Sequence, residues 1–161
     1  RNGACRYLVH PRHSAVVSAV CFSSDGRLLY TGARDGTIKK WTVPTGNGVD
    51  EDGNEIEAEV ECVAQAKAHR GGVGRLTAHP TSAFFLSCGE HDGKIIIWHG
   101  DKFLDVITFS APPGLEILVA HFSLDGKFVI SADVGGNVRL WHIEAAKQVL
   151  VRQIGKTSHI S

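Results

Sequence analysis

The sequence predicts an all-β fold, a β-propeller in which three consecutive four-stranded sheets stack side by side as blades. A similar segment, with three apolar runs separated by two turns, ends in Trp three times, at Trp41, Trp98 and Trp141. These tryptophans lie 57 and 43 positions apart. Four short strands occupy a period of roughly 40–45 residues, which is close to these intervals. The apolar runs are short and bounded by Gly, Asp and Pro, which is typical of strands joined by tight turns.

The first blade is predicted over residues 13–68. The Asp25-Gly26 pair between its first two strands provides the positive φ angle that a tight hairpin turn needs. The predicted strands are 16–22, 28–32, 37–43 and 60–65. The last two are separated by the segment 44–61, which holds seven acidic residues and no basic one. We expect this segment to be a mobile loop, either a solvated insertion or an acidic arm that contacts a basic partner.

The second and third blades are predicted over residues 69–111 and 112–155 and repeat the same plan. Asp92-Gly93 and Asp125-Gly126 again supply turn residues. The predicted strands of the second blade are 74–78, 83–88, 94–98 and 103–107. Those of the third blade are 117–122, 128–132, 137–141 and 148–151.

Both ends of the chain lie between predicted blades. Residues 1–12 are predicted to hold the outermost strand of a preceding blade and a linker, and residues 156–161 the start of a following blade. No Met occurs, not even at position 1. We therefore expect a piece of a longer polypeptide, although a short subunit that completes a ring with a second chain would give the same pattern. Propellers close with roughly 4–8 blades, and we expect this ring to have about seven.

Polar residues recur inside the blades at intervals more specific than the period itself. In the first blade these residues are His13, Thr31, Asp35 and Trp41. Their order resembles the WD-repeat β-propeller family, in which a His, a Ser or Thr, an Asp and a Trp form one hydrogen-bonded chain in each blade. The resemblance implies that this chain ties the strands together and satisfies polar groups that are costly to bury.

The resemblance implies a weaker set in the second blade and an incomplete one in the third. The second set is His69, Cys88, Asp92 and Trp98. A thiol at the hydroxyl position makes only a weak hydrogen-bonding link. The third blade keeps Ser131 and Trp141, but Gly135 takes the position of the Asp, and Pro112-Pro113 that of the His. Its polar network is therefore predicted to be broken, so that apolar packing and strand pairing hold this blade.

The resemblance implies a non-catalytic scaffold, a platform on which other proteins dock within a multi-subunit eukaryotic complex. In this family the residue just before the turn Asp projects from the commonest docking face. The matching residues, which we expect to contact partner proteins of unknown identity, are Arg34, His91 and Val134. An alternative is that a basic face of the first blade binds nucleic acid or anionic lipid. The bases available for such a face are Arg12, Arg27, Arg34, Lys39 and Lys40.

Other classes of function find little support in the sequence. Basic and acidic residues number 17 each, so no overall charge favours nucleic acid as a partner. The nine histidines lack metal-ligand spacing, and no phosphate-binding or nucleophile motif occurs. We therefore expect no enzyme activity, metal or cofactor. The sequence contains no run of about 18 apolar residues, so it predicts no membrane span. The four scattered cysteines favour a reducing compartment, either cytoplasmic or nuclear.

Overall fold

β-Strands and short turns make up the computed structural model, which describes residues 11–43, 48–49, 55–56 and 60–155. The first sheet contains, in spatial order, β1 (Val17–Phe22), β2 (Leu28–Ala33), β3 (Thr37–Thr42) and β6 (Cys62–Lys67). The second contains β7 (Val73–Ala78), β8 (Phe84–Gly89), β9 (Lys94–His99) and β10 (Leu104–Ser110). The third contains β11 (Ile117–Phe122), β12 (Phe128–Asp133), β13 (Asn137–His142) and β14 (Lys147–Gln153). All neighbouring strands are antiparallel, which confirms the predicted fold class.

The boundaries of the strands depart from the predicted ones wherever pairing continues past an apolar run. The last strand of the second sheet reaches Ser110 because Ser110 pairs with Lys94. The last strand of the first sheet lies later in the chain than predicted because Cys62 pairs with Trp41 and Lys67 with Thr37. Backbone pairing with a neighbour therefore sets the ends of a strand, and side-chain polarity alone does not reveal them.

The described part of the acidic segment is a short hairpin. β4 (Gly48–Val49) pairs with β5 (Glu55–Ile56) in a two-stranded sheet of its own. The predicted loop thus contains a short pair of strands, and its mobility and its role stay predictions. Residues 44–47, 50–54 and 57–59 lie outside the described residues. So do residues 1–10 and 156–161, and the blade portions predicted there stay predictions.

The sheets stack through their faces, with their first strands close together. β1 contacts β7, and β7 contacts β11. One apolar core lies between the first and second sheets, where the rings of Tyr30 and Phe85 stack with their centroids 4.0 Å apart. A second core, between the second and third sheets, includes Leu86 and Trp141. A sheet with two apolar faces needs a neighbour on each side, and this need produces the stack.

The turns after the first strands of the first and third sheets have the same construction. Ser23 Oγ donates a hydrogen bond to Asp25 at 2.6 Å, and Ser123 Oγ donates one to Asp125 at 2.5 Å. Gly26 follows with a φ angle of 74°, a conformation that favours glycine. The positive φ predicted from the Asp-Gly pair is confirmed.

Candidate functional site

A chain of hydrogen bonds crosses the second sheet from its third strand to the loop before its first strand. Trp98 Nε1 donates to Ser87 Oγ at 2.9 Å, and Ser87 Oγ lies 2.8 Å from His69 Nε2. His69 Nδ1 lies 2.9 Å from Asp92 Oδ2. Because an ionised carboxylate only accepts, His69 Nδ1 carries the proton and its Nε2 accepts from the Ser87 hydroxyl. Each of these buried polar groups therefore has a partner.

The hydroxyl in this chain belongs to Ser87, so the prediction of Cys88 at this position is wrong. Successive side chains of a strand point to opposite faces of a sheet. Cys88 therefore points away from Trp98 and packs in the core between the second and third sheets, beside Leu86 and Val129. Burial there raises the pKa of the Cys88 thiol to about 12. The thiol is a core side chain and takes no part in the polar chain.

One additional residue in the turn after β8 explains this error. Trp98 follows its hydroxyl partner by 11 positions. The corresponding interval is 10 positions for Trp41 and Thr31 in the first sheet, and for Trp141 and Ser131 in the third. A fixed interval counted back from Trp98 therefore selects the wrong face of the strand, because a shift of one residue reverses side-chain direction.

The first sheet carries a similar chain with an additional hydroxyl. Trp41 Nε1 donates to Thr31 Oγ1 at 2.8 Å, and Thr31 Oγ1 lies 2.7 Å from His13 Nε2. His13 Nδ1 lies 2.9 Å from Thr37 Oγ1, which in turn donates to Asp35 Oδ1 at 2.5 Å. His13 and Asp35 are thus linked through Thr37, a residue that the predicted set does not include.

The charge states in the first sheet suit these bond directions. Burial lowers the pKa of His13, and the negative charge of Asp35 opposes this effect only in part. Burial disfavours the ionised form of Asp35, but hydrogen bonds from Ser14 and Thr37 outweigh it and hold the pKa of Asp35 well below its ordinary value. At neutral pH the imidazole is therefore neutral and the carboxylate ionised, as the hydrogen bonds require.

The third sheet keeps the Trp–Ser bond and replaces the His and Asp by a buried ion pair. Trp141 Nε1 donates to Ser131 Oγ at 2.9 Å. Arg139 Nη2 lies 3.0 Å from Asp133 Oδ2, and these side chains are only 7% and 1% exposed. Asn137 Nδ2 also donates to Asp133, at 3.0 Å. The prediction that polar bonding is broken in this blade is wrong, since a different network satisfies its buried groups.

These networks are structural. The Ser87 and Ser131 side chains are buried, and each accepts the hydrogen bond of an indole. Although Ser87, His69 and Asp92 follow the order of a hydrolase triad, a buried hydroxyl with both roles occupied offers no position for a substrate. The three side chains tie strands together and orient no nucleophile.

Two of the three predicted contact residues meet at one groove. Arg34 and His91 have side chains 67% and 68% exposed, and they line a groove together with Glu90 and Glu116. Val134 is exposed but lies beside this groove, where its backbone N–H donates to the carbonyl of Glu116 at 3.0 Å. The turns that follow the second strands of the sheets thus lie at one end of the stack.

Sequence reasoning missed Glu90, which is the counterpart of Arg34 and Val134 in the second sheet. The backbone N–H of each of these three residues donates to a carbonyl just before the first strand of its own sheet, at 2.9 Å, 2.8 Å and 3.0 Å for Arg34, Glu90 and Val134. His91 is the extra residue of the longer turn. The turn after β8 is one residue longer than the corresponding turns, so the residue directly before Asp92 is His91. The equivalent of Arg34 lies one position earlier, at Glu90, and the difference in turn length is visible in the sequence.

Two ionic contacts cross this groove and join neighbouring sheets. Arg34 Nε lies 3.9 Å from Glu90 Oε1, between the first and second sheets. His91 Nδ1 lies 2.9 Å from Glu116 Oε1, between the second and third. The hydrogen bond to Glu116 raises the pKa of His91. Each acidic side chain of the groove therefore faces a basic side chain of a neighbouring sheet.

The bases predicted to form a basic face on the first blade do not share one face. Arg27 precedes β2 and Arg34 follows it, so they lie at opposite ends of that strand. Lys39 is buried, with Nζ donating to Gln65 Oε1 at 3.0 Å. Lys40 Nζ donates to the carbonyl of Asp101 at 2.7 Å. A continuous basic stripe, which nucleic acid or anionic lipid would need, is not formed by these residues.

The first and third sheets each leave open a face that is covered elsewhere in the stack. Val20 of β1 is 59% exposed. Leu76 and Ala120 occupy the equivalent position in the first strands of the second and third sheets. Their exposed fractions are only 5% and 0%. On the far side of the stack Ile130 is 46% exposed, although its counterparts Tyr30 and Leu86 are buried. Both outer faces therefore have the composition of a surface between blades.

Four-stranded antiparallel sheets that stack through their faces, with their first strands together, define a β-propeller built of blades. The repeated Trp–hydroxyl bond marks each sheet as one repeat of the same kind. The family model described as WD40 (WD domain, G-beta repeat) matches residues 5–42, 60–99 and 106–142. The chain belongs to this family.

Similar proteins include subunits of larger assemblies. The chain is 25% identical to target of rapamycin complex subunit wat1 of Schizosaccharomyces pombe, over 81% of this chain and 37% of that protein. It is 26% identical to p21-activated protein kinase-interacting protein 1-like of Xenopus laevis, over 94% and 36%. It is 25% identical to target of rapamycin complex subunit LST8 of Bos taurus, over 79% and 34%. The chain thus spans roughly a third of the length of these relatives.

Solved structures share the fold at low sequence identity. The crystal structure of RRP9 WD40 repeats superposes with a TM-score of 0.71 at 15% identity, covering 87% of this chain and 39% of that one. The structure of U3-55K gives a TM-score of 0.70 at 16% identity, covering 88% and 40%. These likenesses concern the fold alone.

The described residues contain neither a membrane-spanning helix nor a cluster of metal-ligating side chains. No helix there has the length and apolar character needed to cross a membrane. Within the same residues, no group of three or more His, Cys, Asp and Glu side chains is placed to hold a metal ion.

Proposed function

We propose that this chain forms part of a non-catalytic platform on which other proteins dock within a multi-subunit assembly. One observation carries the proposal: Arg34 and His91 project into solvent at one end of two stacked sheets. Arg is enriched among the residues that anchor protein–protein interfaces. Its surroundings are held by backbone pairing and by the buried networks below it, so a partner would meet a preorganised surface.

The structural role of the polar networks in the first and second sheets supports a binding role for the end of the stack above them. The hydroxyls of Ser87 and Thr31 are engaged with tryptophan and histidine in their own sheets. Two of the similar proteins are named as subunits of a target of rapamycin complex, which supports an assembly as the setting. The partners of this chain are not implied by those names.

A larger ring of about seven blades is part of the same proposal. The exposed Val20 and Ile130 faces support it, because equivalent residues inside the stack are buried by a neighbouring sheet. Extended apolar faces of this kind are rarely left in contact with water. The greater length of the similar proteins also supports additional blades.

The test compares charge reversal at the two ends of the sheets. The full-length protein, tagged at its own gene, is purified from cells with its partners, and the partners are quantified by mass spectrometry. We expect the Arg34→Glu/His91→Glu variant to lose partners that the wild type retains. The matched control is Arg27→Glu/Lys127→Glu, which reverses exposed bases at the opposite end. Equal retention by both variants, or a wild type that retains none, would contradict the proposal.

A further inference from the structure

A second groove adjoins His91 and differs in charge from the one that contains Glu90. Its lining is Arg70, Gly71, His91, Asp92 and Lys94. Arg70 and Gly71 belong to the loop before β7, and Lys94 begins β9, so the groove lies between two loops of the second sheet. Arg70, His91 and Lys94 are all exposed.

The acidic residue of this groove is already occupied. Asp92 Oδ2 accepts from His69 Nδ1 at 2.9 Å and from the backbone N–H of Arg70 at 3.3 Å. Asp92 Oδ1 accepts from the backbone N–H of Lys94 at 3.1 Å. Neither the Arg70 guanidinium nor the Lys94 ammonium has an ion-pair partner within the part of the chain that the structure describes. Two cationic side chains therefore border the groove outside the ion pairs of the described residues, and the one carboxylate in its lining, that of Asp92, already accepts three hydrogen bonds.

His91 adds a third donor to this groove. Its Nδ1 is bound to Glu116 in the first groove, which leaves Nε2 on the opposite edge of the ring. That edge lies against the loop before β7, where a Cβ built on Gly71 would be 3.4 Å from His91 Cδ2. Glu116 raises the pKa of His91 and so favours the imidazolium, in which Nε2 also carries a hydrogen.

In the first groove each basic side chain already faces an acidic one. Arg34 faces Glu90 there, and His91 faces Glu116. A charged group that entered it would have to displace one of these contacts. The groove of Arg70, His91 and Lys94 requires no such exchange, because its bases face solvent.

The geometry points to this second groove as the place where a carboxylate-bearing segment of a partner protein binds, held by Arg70, His91 and Lys94. The inference rests on the proposed function and names the chemistry of the partner at that docking face. An Asp or Glu side chain would accept from the guanidinium, the ammonium and His91 Nε2–H, as charge-assisted hydrogen bonds require. Complementary charge would also steer the encounter and make it sensitive to salt.

This binding should depend on pH through His91. The charged groups that face its ring are Glu90, Asp92, Glu116, Arg34, Arg70 and Lys94. The raised pKa places loss of the Nε2 hydrogen above the ordinary value of about 6.5. Affinity for a carboxylate is therefore highest below that pKa and falls as the pH rises through it.

The experiment measures binding of labelled deca-glutamate and deca-lysine to the full-length protein by fluorescence anisotropy. We expect deca-glutamate to bind and deca-lysine not to bind. Arg70→Glu/Lys94→Glu should weaken the affinity for deca-glutamate by about tenfold or more, and His91→Gln should remove the fall in affinity with rising pH. The control Arg27→Glu/Lys102→Glu reverses exposed bases elsewhere and should leave binding unchanged. Unfolding midpoints establish that every variant is folded.

Several outcomes would overturn the inference. One is that deca-glutamate does not bind, and another is that the control variant weakens its binding as much as Arg70→Glu/Lys94→Glu does. A third is that poly-uridine RNA, or a phosphoserine peptide of matched charge, binds more tightly than deca-glutamate. Partner retention separates this inference from the proposed function. If Arg70→Glu/Lys94→Glu retains the same partners as the wild type, the inference is wrong and the proposed platform function still holds. Deca-glutamate binding by a wild type that retains no protein partners would end the proposed function and leave the groove intact.

Discussion

Trp98 donates its indole hydrogen to Ser87 across 11 positions of the chain, whereas the matching pairs of the first and third sheets are 10 positions apart. The bond length is the same in the second and third sheets, 2.9 Å. One residue added to a surface turn is therefore absorbed there, and the buried network below keeps its geometry. All three sheets keep the hydrogen bond between Trp and a hydroxyl, although the number of residues between the two partners differs.

Removal of the Ser87 hydroxyl should destabilise the second sheet. Ser87→Ala leaves the Trp98 N–H and His69 Nε2 without partners in a buried site, at a cost of about 1–3 kcal/mol in the free energy of unfolding. Urea unfolding of a double-mutant cycle with Trp98→Phe should show coupling of about 0.5–3 kcal/mol. Cys88→Ala is the control, since Cys88 points to the opposite face. A Cys88–Trp98 coupling as large as that of Ser87 would contradict the assignment.

Acid should weaken the link between His69 and Asp92. Burial disfavours the ionised form of Asp92, but the hydrogen bond from His69 and those from two backbone N–H groups outweigh it and lower its pKa. A carboxylate with a depressed pKa contributes stability above its unfolded value of about 3.9 and loses that contribution as the pH falls toward the folded value.

The measurement that checks this is urea unfolding of the wild type and Asp92→Asn at several pH values. We expect the variant to be less stable at pH above about 5, and the difference to shrink as the pH falls below about 4 toward the lowered pKa of Asp92. Glu144→Gln, an exposed substitution beyond β13, serves as the control. A difference that stays constant down to the lowest pH would show that ionised Asp92 is not the stabilising species.

Breaking the ion pair of the third sheet should be costly. Asp133→Asn leaves the Arg139 guanidinium buried without its counter-ion, and we expect a loss of about 3–5 kcal/mol in the free energy of unfolding. Arg139→Met added to it should recover much of that loss, because the uncompensated charge is gone. Arg152→Met on the exposed β14 is the matched control and should change stability by about 0.5 kcal/mol or less. No recovery in the double variant would count against the pair as the cause.

The open face of the first sheet makes the proposed ring testable in the full-length protein. If a preceding blade covers Val20, Val20→Asp buries an unpaired carboxylate and should lower the unfolding midpoint by several degrees. Leu124→Asp is the control, since Leu124 is 94% exposed in the turn after β11. Equal, small effects of the two substitutions would mean that no blade covers Val20.

The repeat made much of the fold predictable. β11 is predicted and found at Ile117–Phe122, because an apolar run bounded by turn residues leaves few other choices. The Thr31–Trp41 bond could be anticipated as well, since both residues lie in strands whose turn has the usual length. The buried ion pair of Arg139 and Asp133 could not be anticipated. Residues of these types usually lie at the surface, and only their pairing permits burial. The groove of Arg70 and Lys94 was missed for a related reason, as it joins a loop and a strand that are distant in the chain.

The sequence alone determines the repeat period, the strand order within each repeat and the all-β class. These features depend on local patterns of apolar and turn residues. The tertiary structure decided which of two adjacent residues, Ser87 or Cys88, faces Trp98, and which loops share a groove. The physical reason is that strand alternation is reset by any residue added to a turn, while hydrogen bonds and ion pairs select partners by distance in space.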